Sequence, residues 1–206
     1  MEIFIGNRIE IFKMFSNGLY NVGGMQPSSS KRADEEQNES NASAMFRLDV
    51  EEESMLLHCL LEAEQDHQNE QTFLDFKHDF SKPALEEALD FIVRKCDKLR
   101  SIYLFDEYSV PVKKVEANVF PTIQEANCTG ADLDERMGQA EQMMKAQNTQ
   151  VFDFKTGPLF NLTLLKIDEQ HFRLVWTCHA ILLMQTGLTD LTTELWNLYQ
   201  SFSNEY

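Results

Sequence analysis

Two periods alternate along this chain, and they divide it into elements. From residue 50 to 65, Met55, Leu56, Cys59, Leu60 and Ala63 return to one side every three or four positions, which predicts a helix. Its first turn holds Glu51, Glu52 and Glu53, where the helix dipole favours negative charge. Residues 71–80, "QTFLDFKHDF", switch to a period of two. Leu74, Phe76, His78 and Phe80 point one way and Phe73, Asp75, Lys77 and Asp79 the other, which predicts a half-buried strand. Ser81 is placed to cap the next helix, with Pro83 in its first turn. Leu85, Ala88, Leu89, Ile92, Val93 and Cys96 then recur at helical spacing as far as Leu99, the clearest amphipathic helix in the chain.

Two short runs, "SIYLF" (101–105) and "VPVKKV" (110–115), predict strands joined by the turn "DEYS". Residues 116–131 hold no sustained period and read as irregular. Residues 132–148 are helical by composition, with Leu133, Met137, Ala140, Met144 and Ala146 apolar and the Met143-Met144 pair read as core filling. After the turn at Gly157-Pro158, Leu159 to Ile167 and His171 to Cys178 are β-rich alternating runs separated by Asp168-Glu169-Gln170, which predicts a hairpin. A last helix is predicted from about Leu188 to Phe202, carried by Leu188, Leu191, Leu195, Leu198, Tyr199 and Phe202. The order predicts an α/β (α+β) lobe: a mixed sheet packed by helices on one side.

The N-terminal quarter departs from this rhythm. Residues 1–25 are apolar with a Gly-Gly at 23–24, and their pattern fits a strand or a helix turn equally. Residues 26–44, "QPSSSKRADEEQNESNASA", hold almost no large apolar side chain and cannot offset their ordering entropy, so they read as a disordered linker. The folded lobe is expected over 45–206.

Charge narrows the partners. Thirty-four Asp and Glu against 18 Lys and Arg give a net charge of −16, a field that repels phosphate backbones and argues against nucleic-acid binding. No apolar run approaches the ~20 residues of a membrane span, and Glu2, Arg8, Glu10 and Lys13 interrupt any signal-like segment. Cys59, Cys96, Cys128 and Cys178 are scattered, with no C-x-x-C pair, so no metal site is expected and a reducing, cytoplasmic setting fits. A metal pair at His58-Cys59 lacks partner ligands at i+3 or i+4.

Three stretches carry a resemblance. "MLLHCLLE" (55–62) resembles the "MLFHSLL" helix, and "PALEEALDFIVRKCDKLRSIYLFDE" (83–107) resembles the "LEAALRALVARHEALRTRF" segment, of condensation domains of nonribosomal peptide synthetases. "FDFKTGPLFNLTLLKIDEQHFRLVWTCHA" (152–180) is similar to that family's "FDLSRGPLLRARLLRLGEDEHVLLLTMHH". The family belongs to the chloramphenicol acetyltransferase-like acyltransferases. The resemblance covers about 48–204, corresponding to the N-terminal lobe of a two-lobe domain.

What the resemblance implies is a tunnel between two lobes, in which donor and acceptor meet on the phosphopantetheine arms of carrier proteins. It implies no cofactor held by this chain itself. The family motif "HHxxxDG" supplies a histidine that positions or deprotonates the acceptor amine, an Asp that holds the loop through an Arg, and a Gly that permits close approach. With "ELWNLYQ" (194–200) set on the family's "ELAALYA" without a gap, His179 takes the first His, Ala180 the second, Met184 the Asp and Gln185 the Gly. Slid by one residue, Cys178-His179 takes the His pair, and Leu183 and Met184 replace the Asp and Gly. The first register needs no deletion and is preferred; both lose the Asp and the Gly. A coenzyme A-dependent acyltransferase with "HxxxD" would need an Asp at 183, where this chain has Leu.

The candidate residues follow. His179 is the candidate catalytic histidine, set against the plainer role of a loop or core histidine bound by a backbone partner. Arg100, in the family's Leu-Arg position, is the candidate substrate-binding residue, set against an arginine packing its stem on the core. Asp190 falls in a first helical turn, where a dipole role outweighs acid–base chemistry. Two functions stay open: a degenerate condensation-like lobe, catalytically inactive by itself, that binds a carrier protein or a second lobe, and an active lobe of a split or truncated enzyme making amide or ester bonds from carrier-bound thioesters. A lone lobe leaves its inter-lobe face exposed, so self-association is a further expectation.

Overall fold

The computed structural model describes residues 43–61, 68–77, 80–184 and 186–203. The expectations for residues 1–25, for 26–42 of the linker, and for Ala63, His78, Asp79 and Gln185 lie outside them.

The chain runs β1 (Ala44–Arg47), α1 (Val50–Leu61), β2 (Asn69–Lys77), α2 (Lys82–Lys95), β3 (Ser101–Leu104), β4 (Val112–Val115), β5 (Ile123–Asn127), α3 (Leu133–Asn148), β6 (Phe160–Asp168), β7 (His171–His179) and α4 (Leu188–Ser203). Short 3-10 turns occupy Asp97–Arg100 and Ala180–Leu182. The strands form two sheets rather than the single layer expected: a four-stranded mixed sheet in the order β2-β7-β6-β5 and a three-stranded antiparallel sheet in the order β1-β4-β3.

The hairpin of β6 and β7 is the centre of the larger sheet. Leu74, Leu174 and Leu164 stand abreast across β2, β7 and β6. With Phe76, Leu162 and Trp176 they join the core cluster that takes in α2 and α4. Each such side chain taken from water contributes about 1.5–3 kcal/mol. The Ser81 Oγ accepts the Ala84 N–H at 3.4 Å to open α2, as its sequence position predicts. The helix then stops at Lys95, short of the expected Leu99, because Cys96 turns extended and a 3-10 turn leads into β3.

The opposite face is covered too, which corrects the expectation of helices on one side. Leu165, Ile167 and Val175 pack there with Cys128 and Ala140, and Phe73, Met137, Met143 and Met144 close over them. Helix α3 is also tied down by amides: Gln71 Nε2 donates to the Met144 carbonyl at 2.9 Å, and Gln147 Nε2 to Thr163 Oγ1 at 2.8 Å. Arg173 makes a two-pronged bond to Asp75 at 2.7 and 2.8 Å, beneath α3 and over the Phe73 ring. Asp75, read as the solvent side of a half-buried strand, is therefore a buried partner.

Two strands were not expected. β5 runs parallel to β6, Ile123 beside Leu162, within the stretch read as irregular. β1 pairs with β4, Ala44 opposite Val115, so the ordered chain includes the end of the expected linker. The small sheet is tied to the segment that leads into β6 through the Tyr103 N–H, which donates to the Phe154 carbonyl at 2.7 Å. It also reaches α1, whose buried Glu52 pairs with Lys113 and shares a reciprocal capping box with Asp49.

Candidate functional site

β7 ends at His179, opposite Asn69 of β2. Its N–H still bonds across the sheet to the Leu159 carbonyl at 2.9 Å, and the next N–H, of Ala180, goes to the Gln68 carbonyl at 2.7 Å. His179 caps the 3-10 turn that follows: Ile181 N–H donates to His179 Nδ1 at 3.1 Å. That bond decides the tautomer. Nδ1 must present a lone pair, so the neutral ring carries its proton on Nε2. Nε2 lies 3.5 Å from Cys59 Sγ on α1, and the Phe154 ring meets the imidazole edge-on at 4.8 Å between centroids. The residue is 3% exposed, and burial lowers its pKa to about 4. At neutral pH this is an uncharged imidazole whose free proton faces a sulfur inside the fold.

The residues after it fill the loop with apolar anchors. Ile181, Leu182 and Leu183 are buried, and Leu183 N–H closes back on the Ala180 carbonyl at 2.9 Å. Met184, at the motif's acid position in the gap-free register, is held by its main chain instead: Lys98 Nζ, from the turn before β3, donates to the Met184 carbonyl. No carboxylate lies between His179 and Thr189.

Arg100 does not join this loop. Its Nη1 donates to the Glu116 carbonyl at 2.8 Å and its Nη2 pairs with Asp97. These partners tie the 3-10 turn to the end of β4, and none of them is shared with His179, whose contacts are Cys59, Phe154 and Ile181. The structure sets His179 at the head of the loop that carries Leu183 and Met184 and leaves Arg100 apart. Cys59 and Lys98 were missed by sequence reasoning. Cys59 stood among the buried positions of α1, but a contact spanning 120 residues leaves no local trace.

Two cavities stand out, one beside the loop and one apart from it. One is an open groove of about 520 Å³ between α1 and the loop, where Glu51, Ser54 and His58 face Gln68 and Met184. The other, of about 360 Å³, lies by the starts of β5 and β6 and is lined by the carboxamides of Gln124, Gln150 and Asn161 beside Phe120 and Phe160. Burial pushes the Cys128 and Cys178 thiols up, which removes both as nucleophiles at neutral pH. Among the described residues there is no group of three or more His, Cys, Asp or Glu that could hold a metal, and no helix long and apolar enough to cross a membrane.

Residues 50–205 match the family described as Condensation domain. Gramicidin S synthase 2 of Brevibacillus brevis is 22% identical over 161 residues, a match covering 78% of this chain and 4% of that protein. Surfactin synthase subunit 3 of Bacillus subtilis (strain 168) is 22% identical over 161 residues, covering 78% of this chain and 13% of that one. The chain thus spans a small part of the length of the curated relatives it matches. Among solved structures, the starter condensation domain of the rhizomide synthetase aligns with a TM-score of 0.69 at 18% identity, over 79% of this chain and 40% of that one. The first condensation domain of the CDA synthetase aligns with a TM-score of 0.57 at 16% identity, over 67% and 36%. At these identities the structural likeness is one of fold.

Proposed function

The chain belongs to the condensation-domain family, and from that premise we propose that it is a lobe that engages carrier-bound thioesters but does not catalyse condensation through His179 by itself. The observation that carries this reading is the state of His179: buried, neutral, and with both ring nitrogens directed at groups of its own fold. A base for an acceptor amine needs a lone pair that reaches the amine and a pKa near the working pH. Here Nδ1 is taken by the Ile181 N–H, and a pKa of about 4 leaves the ring a weak proton acceptor at pH 7. The substituted motif positions, Ala180 and Met184, support the same reading.

The partners follow from the family. The phosphopantetheine arm of a carrier protein is the thioester bearer, and a second lobe of the same architecture is the natural cover for the apolar outer face of α1, where Val50, Leu57 and Leu61 are exposed. In this reading the lobe is residues 45–206, extended to Ala44 by the pairing of β1, with Arg100 bracing the fold rather than binding substrate. Thiols that form no disulfide fit a reducing, cytoplasmic setting.

The test pairs turnover with binding. The chain is incubated with acyl- and aminoacyl-N-acetylcysteamine thioesters, and amide product is followed by mass spectrometry for wild type and His179→Asn. The expected result is the buffer rate for both. Product formation abolished by His179→Asn would overturn the reading in favour of an active lobe of a split condensation enzyme. In parallel, a synthetase carrier domain is titrated in its holo and apo forms, with the holo form expected to bind more tightly; equal binding would sink the carrier assignment.

A further inference from the structure

We propose that the cavity beyond the end of α3, at the starts of β5 and β6, binds an uncharged carboxamide carried on an aromatic ring. Its lining shares no residue with the loop after β7, so the site does not depend on how His179 is read.

The α3 face of the large sheet changes character along its strands. Under α3 it is apolar, where Leu165 and Val175 pack with Ala126 beside them. Counting back by twos stays on one face of a strand. Ala126 then leads to Gln124 and, just before β5, to Thr122; Leu165 leads to Thr163 and Asn161. Helix α3 ends at Asn148, so this polar end of the face is covered only by the residues that follow the helix, Gln150 to Asp153. A cavity of about 360 Å³ remains there, a size that suits a small ligand. Thr122, Gln124 and Gln150 are exposed in it, and so are two large apolar side chains, Phe120 at 74% and Val151 at 70%. Apolar surface that gathers at one cavity rather than lying scattered marks a place for a ligand.

The lining offers a ligand no free charge. Asp153 is its only ionisable side chain, and both carboxylate oxygens serve its own turn: Oδ1 accepts the Lys155 N–H at 2.9 Å and Oδ2 the Thr156 hydroxyl at 2.9 Å. The Asp153 carbonyl takes the Gly157 N–H at 3.0 Å, which fixes that turn as a wall. The other polar side chains are three carboxamides and one hydroxyl. Asn161 Nδ2 donates to Gln150 Oε1, and Asn161 Oδ1 has no donor among the described residues. The joined pair therefore presents an unused acceptor on Asn161 and unused N–H donors on Gln150. Exchanging O and N in both groups swaps the two roles and leaves the same offer. A primary carboxamide carries an acceptor and donors on adjacent atoms and meets both; a carboxylate lacks the donor, and an ammonium lacks the acceptor. Gln124 adds a third carboxamide from β5, and Phe120 and Phe160 give the ring aromatic neighbours.

Probes that share one ring and differ in the group on it test this. The 206-residue chain is titrated by NMR with benzamide, N,N-dimethylbenzamide, benzoate and benzylammonium. The expected result is saturable shift changes centred on Gln124, Gln150 and Asn161, with benzamide binding about tenfold more tightly than each of the other three. The net charge of −16 draws benzylammonium to any site without directed bonds, so its weaker binding is the demanding part of the test. Gln150→Met should remove the preference for benzamide. Gln124→Met changes an exposed position of an edge strand and leaves the Asn161–Gln150 bond alone; it should weaken benzamide several-fold, and it decides the matter if Gln150→Met fails to fold. Gln142→Met, exposed on α3 and outside the cavity, should leave binding intact. Equal affinity for the four probes, tighter binding of either ion, no saturable shifts, shifts centred instead on Val50 and Leu57 of α1, or unchanged benzamide affinity in Gln124→Met would overturn the inference. None of these outcomes touches the reading of His179, which turnover and carrier binding test separately.

Discussion

The buried imidazole of His179 makes stability depend on pH in a way that tests its assignment. Its ordinary pKa of about 6.5 is lowered to about 4 in the folded chain. Between those values the unfolded chain binds a proton that the folded chain refuses, so stability falls as the pH drops from about 6.5 towards 4 and levels off below. The full difference corresponds to about 3 kcal/mol at 1.36 kcal/mol per pKa unit. Between pH 7.5 and pH 5 about 2 kcal/mol of it is lost. Other groups titrate over the same range, so a single profile would not isolate this one. His179→Asn keeps an oxygen close to the Nδ1 position to accept the Ile181 N–H, and removes the titration. Urea unfolding of wild type and variant at pH 7.5 and pH 5 then gives a double difference in which the remaining groups cancel. The expected outcome is that wild type loses about 2 kcal/mol more than the variant on acidification. Parallel losses within about 0.5 kcal/mol would mean that His179 titrates near its ordinary pKa. An imidazole that did so would be open to solvent, and its exclusion as a base would fall with the prediction.

Three further substitutions probe the surrounding fold. Asp75→Asn leaves Arg173 as a buried charge with half its partner gone and should cost about 3 kcal/mol or more by urea unfolding, whereas an exposed pair such as Lys95 and Glu194 should be worth less than about 1 kcal/mol. Arg100→Lys gives up the forked contact with Asp97 and the Glu116 carbonyl; it should lower stability by about 1 kcal/mol and leave thioester binding unchanged, and a selective loss of binding would restore Arg100 as a substrate residue. Tyr103→Phe removes a fully buried hydroxyl that has no hydrogen-bond partner among the described residues, so it should be neutral or stabilising by up to about 1 kcal/mol; a clear loss of stability in thermal unfolding would point to an ordered water bonded there.

Legibility in the sequence tracked how much of an element's stability is local or periodic. α2 and α4 each bury a continuous stripe against one face of the sheet, so their apolar spacing announced them. The β6–β7 hairpin was plain because both strands alternate around a two-residue turn. β5 gave no such signal. Only Ile123 and Ala126 among its five residues are apolar, and it is a strand because its backbone finds β6 some 39 positions away, a distance fixed by the register of Ile123 on Leu162. β1 is exposed at all four residues, so a pattern that reports burial is silent about it. Both are edge strands, defined by hydrogen bonds to a neighbour more than by what their side chains bury. The second helical face was hidden for a related reason. Asp75 and Arg173 lie in separate strands 98 residues apart, and only the register places them opposite each other under α3.

The site divides along the same line. Sequence reasoning could place His179 at the end of a strand and see that the acid expected after it was missing. It could not say which way the ring points, because that depends on one backbone N–H two residues on and one thiol 120 residues back. The two facts are linked physically. A loop with an acidic side chain can be anchored by that side chain, leaving its neighbours free to face a ligand. This loop has none, and it is anchored instead by burying Ile181, Leu182 and Leu183 and by surrendering the Met184 carbonyl to Lys98. Burying three successive residues draws the preceding imidazole down with them, and desolvation then keeps it uncharged. The same packing leaves Met184 as a wall of the open groove against α1. The absence of an acid from the loop and the burial of the His179 imidazole are, on this argument, one structural feature.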